Sequence, residues 1–335
     1  MTATHVVPIA KAAGLEDIRV AVVIPAYKVS RHIVDVVRSV LPYCDHVFVI
    51  DDCCPEGSGK LVESTFVDPR VVVLFNEQNA GVGGAVMNGY RAAVAAGVDV
   101  IVKVDGDGQM DASLLPEFAL PIARGEADYT KGNRFFDLKN IGAMPPMRIF
   151  GNAALSFMAK LSTGYWDIFD PTNGYTAIHS DVARQLPYDR ISQRYFFETD
   201  LMFRLNTLRA AVVDIPMDAK YGDEVSNLHI RRILGEFLFK HAKNFFKRIF
   251  YNYFLRDVSL ASVELVLSMI LLVFAAIFGG GHWVSSASGG RATPVGTIMI
   301  TAVSLIWGLQ LLLAFIGYDI STVPRRAIHK RVRRN

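Results

Sequence analysis

The chain has 335 residues, 51% of them apolar and 20% charged, and its net charge of +3 conceals a split. Residues 228–335 carry 14 Lys/Arg against 4 Asp/Glu, which leaves residues 1–227 with 21 against 28. An acidic body joined to a basic end beside two long apolar runs excludes a nucleic-acid binder and points to a membrane surface, and only three cysteines, Cys44, Cys53 and Cys54, exclude a disulfide framework.

RVAVVIPAY (19–27) reads as a buried strand, and its apolar part is too short to be a signal peptide. HIVDVVRSVLPY (32–43) has helical spacing, HVFVIDD (46–52) is a strand ending on two acids, and VVVLFN (71–76) is a third strand. The vicinal Cys53 and Cys54 read as small residues in a turn, with a redox pair as the alternative. NAGVGGA (79–85) opens the helix GGAVMNGYRAAVAAG (83–97), and DVIVKVD (99–105) is a fourth strand. The glycine run is not a dinucleotide fingerprint, because no acid stands at a strand end about 20 residues later. Glycine at a helix start, Gly83 above all, instead lets backbone approach a sugar nucleotide. Helices alternating with continuously apolar strands predict an α/β domain whose sheet is mostly parallel and covered on both faces. Ligands of such sheets bind beyond the carboxyl ends of the strands. Three ends carry polar signatures: PAY (25–27), DDCCPEGSG (51–59) and DGDGQMD (105–111).

Asp105 and Asp107, two apart after a buried strand, can both reach one oxygen-seeking cation, Mg²⁺ or Mn²⁺, that bridges a diphosphate. Asp111 lies beyond them and reads as the cap of the next helix. Lys131 and Arg134 in KGNRF, and Arg148 in MPPMRIFGNA, read by themselves as a solvated face or ordinary salt bridges. FFETDLMFRL (196–205) sets Glu198 and Asp200 at a helix start, where they serve as a general base for a hydroxyl acceptor, orient a donor or cap the helix.

LHIRRILGEFLFKHAKNFFKRIFYNYFLRD (228–257) interleaves apolar side chains with Arg231, Arg232, Lys240, Lys243, Lys247 and Arg248, the pattern of a segment lying in lipid headgroups. The same stretch would serve as a dimer-interface helix, so a homo-oligomer stays open. His229 and His241 lack metal spacing and read as surface groups. Residues 258–280 and 295–317 are long and apolar enough to cross a bilayer, joined by 281–294 with one Arg. Six Lys/Arg between Arg325 and Arg334, in the tail 318–335, and seven before Val258 place the domain and both ends in the cytoplasm, on an inner membrane.

VVIPAYKVSRHI, VIDDCCPEGSG, NAGVGGAVMNGYRAA, VKVDGDGQMDASLLPEF, KGNRF and DPTNGY, in that order, resemble the inverting family-two glycosyltransferases of GT-A fold. Within them the likeness is to polyprenyl-phosphate glycosyltransferases, the group of dolichyl-phosphate mannose synthase and its bacterial two-span relatives. The resemblance covers about residues 19–225 of a domain at 19–227, after an extension at 1–18, and implies a nucleoside diphosphate sugar as donor and a polyprenyl phosphate as acceptor. It assigns Pro25, Ala26 and Tyr27 to the nucleoside, Asp52 to the base, and Asp105 and Asp107, with Gln109 beside them, to the metal and diphosphate. Arg134 and Arg148, assisted by Lys131, would then hold the acceptor phosphate. The chain departs from the pattern in DDCC for the usual DDGS, in Val82 where the glycine loop often has a basic residue, in GYT at 174–176, and in KYGDEVSNL (220–228). Two other functions stay open: extension of a saccharide through a sugar hydroxyl, and a non-catalytic membrane module.

Overall fold

The computed structural model describes residues 12–136, 146–218 and 230–332. It comprises two units, Met1–Phe245 with Pro324–Asn335, and Phe246–Val323. In the first, β1 (Val20–Ala26), α1 (Ile33–Val40), β2 (His46–Asp51), α2 (Ser58–Thr65), β3 (Val71–Phe75), α3 (Gly81–Ala95) and β4 (Val100–Lys103) alternate, all but α2 where the sequence predicts them. They are followed by α4 (Leu115–Ala123), β5 (Tyr129–Asn133), α5 (Pro146–Thr163), β6 (Thr176–His179), α6 (Phe197–Leu208), β7 (Val212–Pro216) and α7 (Ile230–Phe250), whose residues from Phe246 on belong to the second unit. The seven strands form one sheet in the order β3-β2-β1-β4-β6-β5-β7. All its pairings are parallel except those of β6, which runs antiparallel to both β4 and β5.

β1 is apolar without alternation because both of its faces are covered. On one side Val20, Val22 and Ile24 pack in a common core with Ile33, Val36, Val37 and Val40 of α1 and with Phe118 and Ile122 of α4. The α1 positions fall at the i, i+3, i+4, i+7 spacing of a helix with one buried face, and Asp35 pairs with Arg38 on its outer side. On the other side α3 lies on the sheet at Gly89, where an added Cβ would meet Ile50 at 3.2 Å.

The register carries the functional residues to one edge. Ala26 stands opposite Asp51, and Val23 opposite Lys103. Two residues on from that second pair are Pro25 and Asp105, so the PAY, DD and DGD segments leave the sheet level with one another.

A tail completes this unit. Ile328 and His329 donate their N–H groups to the Asp128 carboxylate at 2.9 and 3.0 Å, and His329 Nδ1 lies 2.7 Å from it. The His329 ring stacks on His179 with centroids 4.0 Å apart, and Lys330 Nζ donates to the Arg124 carbonyl at 2.7 Å. The sequence marks 318–335 only as a basic tail.

The second unit holds two helices long and apolar enough to cross a membrane, α8 (Leu260–Gly289) and α9 (Val295–Ser321). α8 runs past the predicted end at 280 because HWVSSAS contains no breaker, and it stops at Gly290, whose φ of 58° is left-handed. The two helices approach closely at small residues, Gly308 against Leu272 and Gly279 against Thr301. Arg248, read from the sequence as a headgroup-facing cation, is instead buried: its guanidinium donates to Asp319 of α9 at 2.6 and 3.0 Å, and Tyr253 O–H donates to the same carboxylate at 2.6 Å. Asp319 is an acid in an apolar helix, and burial demands such a partner.

Candidate active site

A cleft of about 560 Å³ opens at the carboxyl ends of β1, β2 and β4. Pro25, Ala26, Tyr27, Asp52, Asp105 and Asp107 line it, together with Lys28, Asn79, Val82, Arg194 and Tyr195. Six of the eight residues assigned to the donor from the sequence therefore meet in one cavity. Gly83 and Gln109 are not among its lining residues.

Asp52 is 2% exposed and shapes the cleft. Its carboxylate accepts from the Asn76 side chain and from the N–H groups of Ala80 and Gly81, all at 2.8 Å. Asp51 accepts from the N–H groups of Cys54 and Gly59 at 2.7 Å, which folds the DDCC turn back on the sheet. Cys53, standing where the family pattern has glycine, adopts a φ of 54°, the left-handed backbone that glycine reaches without strain. Cys54 Sγ accepts from the Lys28 N–H at 3.1 Å and holds that residue at the rim.

The glycine run has a different purpose from the one the sequence suggests. Gly83 and Gly84 donate to the Gln193 carbonyl at 2.8 and 3.4 Å. A Cβ on Gly83 would meet the Ser192 carbonyl at 2.5 Å, and one on Gly81 the Gln193 carbonyl at 2.6 Å. The glycines thus let the 192–194 segment cross the start of α3, and Gly83 faces that segment rather than a nucleotide.

Asp105 is 29% exposed and pairs with the buried Lys103 ammonium at 2.6 Å. Burial opposes the Lys103 charge, but the carboxylates of Asp105, Glu198 and Asp107 outweigh it and raise its pKa. Gly174 makes room for this pair, since a Cβ there would lie 2.5 Å from Lys103 Nζ. Asp107 accepts from the Gln109 N–H at 3.0 Å, so Gln109 contributes backbone to the turn. Asp111 accepts from Ser113 N–H at 3.0 Å and caps the following turn, as the sequence predicts. Among the described residues no cluster of three His, Cys, Asp or Glu is placed to hold a metal. Two oxygen ligands on an open cleft nonetheless fit Mg²⁺ or Mn²⁺, which take one or two carboxylates and complete their shell with phosphate oxygens.

The residues assigned to the acceptor are engaged with protein groups. Lys131 is fully buried, and its ammonium donates to the Asn173 carbonyl at 2.6 Å. Burial lowers its pKa to about 8 against the upward pull of Glu198 and Asp170. It cannot meet an acceptor phosphate, and the assignment of that role to Lys131 is corrected accordingly. Arg134 donates from Nε and Nη2 to the buried Asp170 at 2.8 and 3.0 Å, while its side chain stays 34% exposed. Arg148 lies in α5, and its side chain falls outside the described residues, as does the 220–228 segment. Glu198 is half-buried; burial raises its carboxyl pKa, and Lys103 and Lys131 pull only part of that back. Asp200 has both carboxylate oxygens engaged by protein groups. It accepts from Ser192 N–H at 2.9 Å and from the Asn244 side chain of α7 at 3.0 Å, and is 6% exposed. His241 of α7, read as a surface group, is 4% exposed, with Nδ1 2.8 Å from Ser162 Oγ and its ring edge-on to Phe196.

Arg194 and Tyr195 are among the site residues that sequence reasoning misses. Their only signal is position, immediately before FFETD, and no pattern of spacing links them to strand ends more than 80 residues away.

Residues 21–186 match the model of Glycosyl transferase family 2. The chain is 30% identical over 204 residues to undecaprenyl-phosphate mannosyltransferase of Micrococcus luteus, covering 59% of this chain and 82% of that protein. It is 28% identical over 204 residues to polyprenol monophosphomannose synthase of Mycolicibacterium smegmatis, with 59% and 76% covered. Its fold is shared by glucosyl-3-phosphoglycerate synthase from Mycobacterium tuberculosis, solved with Mn²⁺, UDP and glucosyl-3-phosphoglycerate. That likeness has a TM-score of 0.52 at 18% identity over 70% of this chain and 81% of that one.

Proposed function

Because the chain belongs to glycosyl transferase family 2, with polyprenyl-phosphate sugar transferases among its relatives, we propose that it moves a sugar from a nucleoside diphosphate to a polyprenyl phosphate, with inversion. The observation that carries this reading is the 30% identity across 82% of an undecaprenyl-phosphate mannosyltransferase, in a chain that also has two apolar helices of spanning length. The enzyme is a glycosyltransferase associated with a membrane. The domain and both chain ends lie on the cytoplasmic face of an inner membrane, an orientation supported by the distribution of Lys and Arg.

The donor occupies the cleft, its nucleoside against Pro25, Ala26 and Tyr27 and its diphosphate toward Asp105 and Asp107. Asp105 and Asp107 would hold a divalent cation, which when bound would supply charge neutralisation for the departing diphosphate. Lys103 orients Asp105 through their 2.6 Å ion pair. An oxygen of the lipid phosphate attacks the anomeric carbon, and the bond from that carbon to the diphosphate breaks. The nucleophile is already an anion, so no proton has to be removed. This fits an Asp200 whose two oxygens are occupied by Ser192 and Asn244. Arg134, oriented by the fork it makes on Asp170, and Arg148 hold the acceptor phosphate.

Membranes containing the protein, supplied with polyprenyl phosphate and a panel of radiolabelled UDP- and GDP-sugars, are expected to yield a lipid product from which mild acid releases the label. Acid-stable, saccharide-linked label alone would replace the acceptor with a sugar hydroxyl.

A further inference from the structure

The donor brings a diphosphate to a cleft lined by three acids, Asp52, Asp105 and Asp107, and its cationic side chains there are Lys28 and Arg194. A helix start is the usual alternative source of positive potential for phosphate. Here most of that source is taken up inside the protein. Ala80 and Gly81 give their N–H groups to Asp52, and Gly83 and Gly84 give theirs to Gln193. Lys28 stands at the other side, its ammonium 5.5 Å from the centroid of the Tyr27 ring, where the nucleoside is proposed to lie. Arg194 lies over the glycine run, its Cγ 3.1 Å from the point a Gly81 Cβ would occupy. Val82, where relatives of the pattern often carry a basic residue, is neutral.

The segment bearing Arg194 is fastened on two sides. Gln193 is tied to α3 through Gly83 and Gly84, and Ser192 donates its N–H to Asp200, which in turn accepts from Asn244 of α7. Phe196 packs edge-on against Phe237 and His241 of the same helix.

We propose that Arg194 is the cation of this chain that binds the donor diphosphate, doing from a neighbouring loop what the neutral glycine run cannot, and that Asp200 and Asn244 are positioning residues that hold it there. The inference rests on the proposed donor class and deepens it. A guanidinium beside a carboxylate-bound cation grips phosphate oxygens in a fixed fork, which favours diphosphate over monophosphate donors.

The test uses the full-length protein in detergent with Mg²⁺, titrated with UDP, GDP and the matching monophosphates. Arg194→Gln should weaken the preferred diphosphate by about tenfold or more and Arg194→Lys by less, with a much smaller effect on the monophosphate and none on the unfolding temperature. In turnover, the donor KM rises while the acceptor KM holds. Asn244→Ala should weaken the same diphosphate, and the double variant should lose less than the two single losses combined. Undiminished diphosphate binding by Arg194→Gln overturns the assignment, and full additivity with Asn244→Ala overturns the positioning role. A wild-type protein that binds neither diphosphate overturns the donor reading beneath it.

Discussion

The two halves of the candidate site were specified in different ways. The donor half comes from the carboxyl ends of three neighbouring parallel strands, where a short motif at the end of a buried strand has only one place to go. Pro25, Ala26, Tyr27, Asp52, Asp105 and Asp107 duly share one cleft. The half assigned to the acceptor draws on β5, α5 and α6, and there residue type misleads. Lys131 serves Asn173, Arg134 is forked on Asp170, and Asp200 ties a loop to α7. A charged side chain that the fold buries against its own partners, as it does Lys131 and Asp200, is poorly placed to act on a ligand, whereas Arg134 keeps an exposed face beside its partner.

The first way to break this comparison is at the metal-binding end. Asp107→Ala is expected to cut sugar transfer by about a thousandfold, and EDTA to match it, while the variant still inserts in membranes. Equal loss from Glu198→Gln would erase the contrast between the halves.

The next test asks whether Lys131 is structural. Lys131→Met removes a buried positive charge that Glu198, Asp170 and Asp214 share and should cost about 3 kcal/mol of stability, read by thermal or denaturant unfolding. A variant that unfolds normally but shows a raised acceptor KM would return Lys131 to the lipid phosphate.

A third uses pH. Burial lowers the His241 pKa to about 4 from an ordinary 6.5, so between those values the unfolded chain binds more protons than the folded one. Stability then falls as pH falls through that window, by about 3 kcal/mol at its acid end, and His241→Gln should flatten the slope. A solvent-facing histidine would give no such slope.

The smallest expected effect is the sharpest discriminator. Glu198→Gln should change the turnover number by no more than about threefold, because a phosphate nucleophile needs no base. A loss of several hundredfold would mark Glu198 as a base acting on a hydroxyl acceptor.

Much of the β1–β4 half was legible because its strands are short and apolar, with β1 and β4 buried along nearly their whole length, and because α1 carries one buried face. The β1–β4 half could be read almost residue by residue. What escaped reading depends on contacts between distant segments. Nothing near Arg194 announces a cleft residue, since its placement follows from the Gln193 carbonyl meeting two glycines more than 100 positions earlier. Arg248 looked like a lipid-facing cation until Asp319 of α9 supplied a buried partner. His241 looked like a surface group until α7 packed against Ser162 and Phe196.

The return of residues 324–332 to Asp128 alters the status of the apolar hairpin. The chain leaves the catalytic unit after Phe245 and re-enters it at Pro324, so the hairpin is an insertion within that unit and not an appendage to its end. Cutting the gene before the first apolar helix would remove three donors from a fully buried carboxylate and uncover the His179 ring. A water-soluble version of this enzyme is therefore better made by excision, with a flexible linker carrying the chain from residue 245 to residue 324.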